Sequence, residues 1–272
     1  MKWKNKMDLK LKNKRAIITG GSRGIGKSIG MSLSKEGVEC VIVSRNNKSL
    51  DIAVNEIKNF SKNICHGVVA DTGNNDSVKN MVNISKELMG GIDILINCAA
   101  KPLSPKKSGI EDKSIDEKIV EEINVKVMGY LRCSRAVVPF MKANGWGRII
   151  NISGLAYRSS GNIVGSIRNV SVSALTKNLA DELGPYGINV SVIHPGFTIT
   201  ERTENLVSSM AKERKITIDE IWNEIHQNNS IKKKIFASDI AYIATILASP
   251  KSIAINGDGI AAGGGIENAI YY

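Results

Sequence analysis

Cysteine, histidine and aromatic residues are all scarce in this 272-residue chain. The four cysteines, Cys40, Cys65, Cys98 and Cys133, form no Cys-x-x-Cys pair, and the three histidines, His66, His194 and His226, lie far apart. That spacing supports neither a disulfide framework nor a zinc site, so no metal is expected. Cys40 and Cys98 fall within apolar, strand-like runs and read as small buried hydrophobes in a reducing compartment. No apolar run approaches the roughly 18 residues of a membrane span, and no apolar stretch follows the N-terminal lysines to make a signal peptide. A cytoplasmic protein without a membrane partner is expected.

What is present is a chain of 42% apolar and 23% charged residues, enough to bury one large α/β core. Its net charge is +11, of which residues 1 to 15 supply +6 through six lysines and Arg15 against Asp8 alone. Apart from Trp3 this segment has no interleaved aromatics and no reading helix, so it is taken as a solvated basic leader over 1–10 rather than a nucleic-acid-binding element. Residues 11–272 then form a single domain.

Short β-branched runs alternate with longer helical patterns. Strands are expected at Ala16–Thr19, Cys40–Ser44, Gly67–Ala70, Ile92–Asn97, Arg148–Ile152, Asn189–Ile193 and Ile253–Ala261. Ile25–Lys35 and Val170–Leu183 space their apolar residues as helices packed on a sheet do. Seven strands with helical crossovers predict a Rossmann-type doubly wound parallel sheet, with its ligand at the carboxyl ends of the strands. The polar helical stretch at about 198–230 follows the sixth strand and is expected to act as a lid, with a helical cover over the sheet edge as the alternative.

Thr19-Gly20-Gly21-Ser22-Arg23-Gly24-Ile25-Gly26 lies between the first strand and the first helix. Glycines there permit a tight turn and close backbone approach, and the helix N-terminus meets the charge of a pyrophosphate. Sites that prefer the unphosphorylated cofactor end the second strand with a carboxylate for the ribose 2′-hydroxyl. This chain has Ser44-Arg45 instead, and Arg45 and Arg23 are suited to a 2′-phosphate, so NADP(H) is expected over NAD(H).

These segments, with Asp71, Asn97-Cys98-Ala99-Ala100, Asn124, Gly147 to Ser153, His194-Pro195-Gly196 and Asn256-Gly257…Gly263-Gly264, resemble the short-chain dehydrogenase/reductases, and among them the ketoacyl-reductase-like branch. The resemblance runs from about Leu11 to Gly264. It implies that Gly20, Ser22, Arg23, Gly24, Ile25, Gly26, Ser44, Arg45, Asp71, Thr72, Asn97, Ala99, Pro195, Gly196, Thr198 and Thr200 contact the cofactor. It also implies that Asn124 is the family's helix-kinking asparagine, anchoring a water in a proton relay, and that homodimers or homotetramers form through helices at about Ile115–Lys142 and Ile163–Gly184.

The chain departs from that family where proton transfer is done. It contains no Tyr-x-x-x-Lys. The family's serine falls at Gly154, with Ser153 one residue early, its tyrosine at Gly165 and its lysine at Asn169. Such a general acid contributes about 10²- to 10⁴-fold. Hydride transfer to a pre-activated acceptor, an imine or enone, needs it least, because positioning alone is worth effective molarities of about 10⁵ M. Arg168 is a candidate for the lost positive charge, though its pKa is too high for it to be an acid; a surface or interface arginine is the alternative. His194 is a candidate shuttle near the nicotinamide end, with a packed strand-terminal histidine as the alternative. Trp222 and Trp146 are expected to pack a helix and anchor a loop. An oxidoreductase with a non-standard proton path is therefore expected; the alternatives are a non-catalytic dinucleotide sensor or partner subunit, and elimination or isomerisation on the same scaffold. The substrate is a small molecule whose identity no motif reveals; Lys101, Lys106, Lys107 and Arg202 would suit an anionic group.

Overall fold

A computed structural model of the protein describes residues 7–100 and 109–265. Strands β1 (Arg15–Thr19), β2 (Glu39–Ser44), β3 (Cys65–Val69), β4 (Ile94–Asn97), β5 (Gly147–Ile152) and β6 (Ile188–Pro195) alternate with helices α1 (Gly24–Lys35), α2 (Asn47–Ser61), α3 (Asn75–Met89), α4 (Ile115–Glu122), α5 (Gly129–Asn144) and α6 (Ile163–Leu183). A short strand β7 (Thr198–Ile199), helices α7 (Glu201–Arg214) and α8 (Ile218–Gln227), strand β8 (Ile235–Phe236), helix α9 (Ala237–Ala248) and strand β9 (Gly259–Ala262) follow.

The central strands are largely apolar because both faces of the sheet are covered. Adjacent residues serve opposite faces. Ile18, Ile42, Ile96 and Ile150 pack with Ile29 and Leu33 of α1, Leu50 and Ile57 of α2, and Ala244 and Leu247 of α9. Their neighbours Ile17, Val41, Leu95 and Ile149 pack with Met81 of α3, Val137 and Met141 of α5, and Leu183 of α6. The result is the expected three-layer Rossmann-type sheet of seven parallel strands in the order β3-β2-β1-β4-β5-β6-β9. The order reverses between β1 and β4, and the crevice at that switch point opens beyond Thr19 and Asn97, which are paired in register.

Two local expectations are corrected. The last strand begins at Gly259 rather than Ile253, because Pro250–Ser252 forms a 3₁₀ turn capped by Ser249 and the chain needs further turns before it can rejoin β6. The helix expected at about 115–142 is broken by a π-helical segment, Ile123–Met128, between α4 and α5.

β1 is fixed to the approach to β4 by one ion pair. Asp93 accepts from Arg15 Nε at 2.8 Å, Arg15 Nη2 at 2.9 Å and the Arg15 backbone N–H at 3.0 Å. The aspartate is nearly buried, so these donors are hard to satisfy without it. Asp93→Ala is expected to cost about 1–3 kcal/mol, read as a lower urea midpoint at constant m; an unchanged midpoint would show that the pair contributes nothing.

Candidate active site

The crevice at the switch point is walled by backbone. Thr19 Oγ1 accepts from the N–H groups of Cys98 at 3.1 Å and Ala99 at 3.3 Å, tying the end of β1 to the chain leaving β4. Gly20 has φ +66°, and a Cβ there would lie 2.8 Å from Ala99 Cα; a Cβ on Gly26 would strike the Gly20 carbonyl. Side chains at these two positions are excluded by space, and at Gly20 by dihedral angle as well. The turn they make opens onto a groove of about 290 Å³ that runs past Ser22, Arg23, Ile25, Gly26, Ser44, Arg45, Asp71, Thr72, Ala99 and Thr200. Gly20 also lines this groove, and Gly24 faces the Thr200 side chain.

The groove is strongly cationic. Ser22 Oγ donates to Ser44 Oγ at 3.0 Å, bridging the glycine turn to the end of β2, and Arg45 follows immediately. Arg202, considered from the sequence only as a contact for an anionic substrate, is brought by the first turn of α7 into this same groove. Burial, and then the charge of Arg23, lowers its pKa. Three guanidiniums thus share one concavity.

At the N-terminus of α1 no side chain caps from Arg23. The Glu201 carboxylate takes that place, accepting from the Gly24 N–H at 3.2 Å and lying 2.9 Å from Lys27 Nζ. Partial burial alone would raise the Glu201 pKa, but its bonds to Lys27 and to backbone N–H groups outweigh burial and hold it below the ordinary value. A carboxylate at this point imitates the anion that a helix N-terminus attracts.

Not every expected contact lies on the groove. The Asn97 side chain is fully buried in the sheet, where Nδ2 donates to Asn151 Oδ1 at 2.9 Å, and Asn151 in turn donates to Thr176 Oγ1 at 2.9 Å. Its role here is to stitch β4 to β5 and α6. Pro195 ends β6, and Gly196 lines a second cavity of about 180 Å³ beneath α8, with Leu155, Phe197, Trp222 and His226. Thr198 Oγ1 donates back to the Gly196 carbonyl at 3.1 Å. Trp222 is buried among Ile199, Val207 and Ile221, as helix packing requires, and it also lines this cavity. Trp146 lies between Lys14 and Arg148, at 4.0 and 4.8 Å from its ring centre, an anchored loop residue. Lys101, Lys106 and Lys107 lie outside the described residues.

Where β5 meets α6, two of the departures from the family pattern, Gly154 and Asn169, converge with a residue that carries no signal in the sequence motifs. A Cβ on Gly154 would lie 3.0 Å from Asn169 Nδ2, so the two positions do face each other. Ser153 Oγ donates to the Asn169 carbonyl at 3.2 Å. Between them is Lys126, 3% exposed, whose Nζ donates to the Ser153 carbonyl at 2.9 Å and to Asn169 Oδ1 at 3.2 Å. An ammonium therefore stands against the α6 residue that replaces the family's lysine, and it comes from the π-helical segment. Burial, and secondarily the Arg168 charge, pushes its pKa down to about 7. The sequence signal was a lone lysine between Val125 and Val127 on a buried helix, but regular helical spacing does not turn that position inward.

Arg168 is a buried residue, not a surface one, and it is ion-paired with Glu122. Its charge is thus already matched. Asn124 faces the other way: its Oδ1 accepts from Arg132 Nη2 at 2.7 Å and its carbonyl accepts from Arg132 Nη1 at 3.0 Å. His194 is fully buried and stacked on Tyr157, with ring centres 3.6 Å apart. Burial pushes its pKa down to about 4, so near pH 7 it is neutral and holds no imidazolium proton to shuttle. Among the described residues no cluster of three His, Cys, Asp or Glu is placed to hold a metal.

The carboxylate at the α1 terminus supplies a test of the groove. Glu201→Gln removes a negative charge from beside the phosphate seat and is expected to tighten dinucleotide binding by about two- to fivefold at low salt, measured by fluorescence titration. Unchanged or weaker binding would place the phosphates elsewhere.

Comparison with known proteins agrees with this architecture. A short chain dehydrogenase family profile matches residues 14–211. The chain is 30% identical over 263 residues to dehydrogenase/reductase SDR family member 4 of Oryctolagus cuniculus, covering 96% of each protein. It is 27% identical over 267 residues to the NADPH-dependent reductase BacG of Bacillus subtilis, covering 96% of this chain and all of that one. Its fold matches L-sorbose reductase of Gluconobacter frateurii, solved with NADPH and L-sorbose, with a TM-score of 0.90 and 25% identity over 97% of this chain and all of that one. Glycine turn, switch-point crevice, seven-stranded order and whole-length similarity lead to one assignment: the chain belongs to the short-chain dehydrogenase/reductase family.

Proposed function

We propose that the protein is an NADP(H)-dependent oxidoreductase with a non-standard proton path, acting on a pre-activated small-molecule acceptor. The observation that carries the cofactor half is the meeting of Arg23, Arg45 and Arg202 in the groove beyond β2. Guanidiniums there form charge-assisted bonds to a 2′-phosphate, and no carboxylate at the end of β2 repels it. When bound, the cofactor supplies a hydride at its nicotinamide. The chain supplies the cradle of Gly20 and Gly26, the phosphate contacts of the α1 terminus, and Asp71 and Thr72 at the adenine end. The similarity to an NADPH-dependent reductase and to a reductase solved with NADPH points the same way.

The acceptor half follows from what stands at the redox end. With glycine at 154 and 165 and asparagine at 169, neither a phenol nor a serine hydroxyl is supplied from the family's positions. An acceptor whose charge spreads away from the reacting carbon tolerates that loss best. The α7–α8 segment, at about 198–230, serves as the lid over the smaller cavity and draws Arg202 and Glu201 to the groove as it closes. Val120, Met128, Ile163, Ile167 and Val170 leave an exposed apolar stripe on α4, the π-helical segment and α6, which favours a homodimer or homotetramer through those helices. The second reading, a dinucleotide-binding sensor or partner subunit, is favoured by the joint loss of residues at 154, 165 and 169.

Arg45→Ala is expected to weaken NADPH binding by about 5- to 30-fold and to leave NADH within about twofold; equal losses for both would remove the 2′-phosphate contact. In a panel of ketones, imines and enones, NADPH oxidation is expected with activated acceptors. Turnover of plain ketones alone contradicts the acceptor reading, and tight binding with no oxidation by any acceptor selects the sensor.

A further inference from the structure

Among the described residues Lys126 is a buried cation with no carboxylate bonded to it. The carboxylate near enough to act on it is that of Glu122 of α4, and Glu122 is already engaged by Arg168 of α6. The other titratable groups around Lys126 are the Cys98 thiol beyond β4, the Tyr130 phenol of α5 and the His194 ring of β6. Burial keeps Cys98 and Tyr130 protonated and His194 neutral near pH 7, so none of them neutralises the ammonium. Nζ has three N–H bonds, of which two go to the Ser153 carbonyl and to Asn169 Oδ1. Both are fixed acceptors with no proton to exchange. Val125, the chain neighbour of Lys126, and Cys98 line the dinucleotide groove, while Lys126 Nζ reaches the junction of β5 and α6, where Gly154 and Asn169 stand in place of the family's serine and lysine.

We propose that Lys126 is the proton-donating residue of this site, and that it selects neutral conjugated carbonyl acceptors over iminium ions. The proposal rests on the redox reading above. A hydride from the reduced nicotinamide forms a C–H bond at the β-carbon of the enone; the acceptor gains two electrons and the cofactor loses them. The negative charge passes to the enolate, which takes a proton from the Lys126 ammonium. Lys126 is left neutral and regains its proton from solvent. An iminium acceptor carries a positive charge toward Lys126 and needs no proton after hydride transfer, so this cation both repels it and is of no use to it. The lone charge that raises the cost of burial is thus the one that stabilises a developing enolate.

Two measurements test this. First, ¹⁵N NMR of the lysine side chains in the wild-type protein is expected to show one lysine, absent from the spectrum of Lys126→Met, that titrates near pH 7 rather than near the ordinary 10.4 or so and shifts when NADP⁺ binds. This readout requires no substrate. Second, kcat for an enone is expected to fall about tenfold per pH unit above that midpoint, because the donor must be protonated. Lys126→Met is expected to remove this limb and lower kcat by about 10²- to 10⁴-fold with NADPH affinity within about threefold. Lys126→Arg keeps the charge but holds its protons too tightly to act as an acid and is expected to remain as impaired. A Lys126 that titrates at the ordinary value, full rescue by arginine, or iminium turnover exceeding that of enones would each overturn the role while leaving the redox reading intact. Failure of the wild type to oxidise NADPH with any acceptor overturns the redox reading itself, and the proton-donor role with it.

Discussion

The contact between the β1–α1 turn and the chain leaving β4 governs the rest of this molecule. Thr19 holds two N–H groups beyond β4, and Gly20 passes so close to Ala99 that no side chain fits between them. With that contact made, the switch-point crevice has a floor of backbone and the N-terminus of α1 points into it. Several later elements meet at this floor. β2 ends with Ser44 against Ser22, α7 begins with Glu201 and Arg202 over the turn, and β5 delivers Ser153 and Gly154 to the far end. The sheet supplies rigidity, and the loops at its carboxyl edge supply the chemistry.

Electrostatics divides the crevice into two regions. At the phosphate end, positive charge is abundant and partly solvated, which favours an anion whose binding weakens with salt. Where β5 meets α6 there is a buried ion pair, Arg168 with Glu122, and near it the Lys126 ammonium, which among the described residues has no carboxylate bonded to it. A buried cation without a counter-ion is costly, and the protein retains one where the family pattern would place a lysine on α6. The two positions are in contact through the Lys126–Asn169 bond. The π-helical segment thus brings an ammonium to the position where the family pattern has a lysine, and asparagine there accepts from it.

Much of this was legible in the sequence. The β-branched runs located six of the seven strands to within a few residues, since strands buried on both faces have little freedom in composition. The glycine turn and Ser44-Arg45 located the groove, because steric exclusion and charge are properties of residues in order. Ile253 to Asp258 was misread as strand since apolar content alone does not register the turn that Ser249 and Pro250 impose. Asn97 was assigned to the cofactor, yet it faces into the sheet; its alternation along β4 was visible but its partners Asn151 and Thr176 were not. Arg202 and Lys126 were unreadable for different reasons. Arg202 depends on where α7 folds back, a long-range placement. Lys126 depends on a π-helical segment, whose extra residue per turn rotates the side chain away from the face that 3.6-residue periodicity assigns.

The central claim is that a well-kept dinucleotide cradle still serves hydride transfer although phenol and serine are gone from their family positions. Isotope transfer tests it most directly: NADPH carrying deuterium at the transferring position of the nicotinamide is incubated with the protein and a neutral enone, and the product is analysed by mass spectrometry and NMR. The account predicts one deuterium at the β-carbon of the product. Bound NADPH that keeps its deuterium while the enone remains unreduced would contradict it.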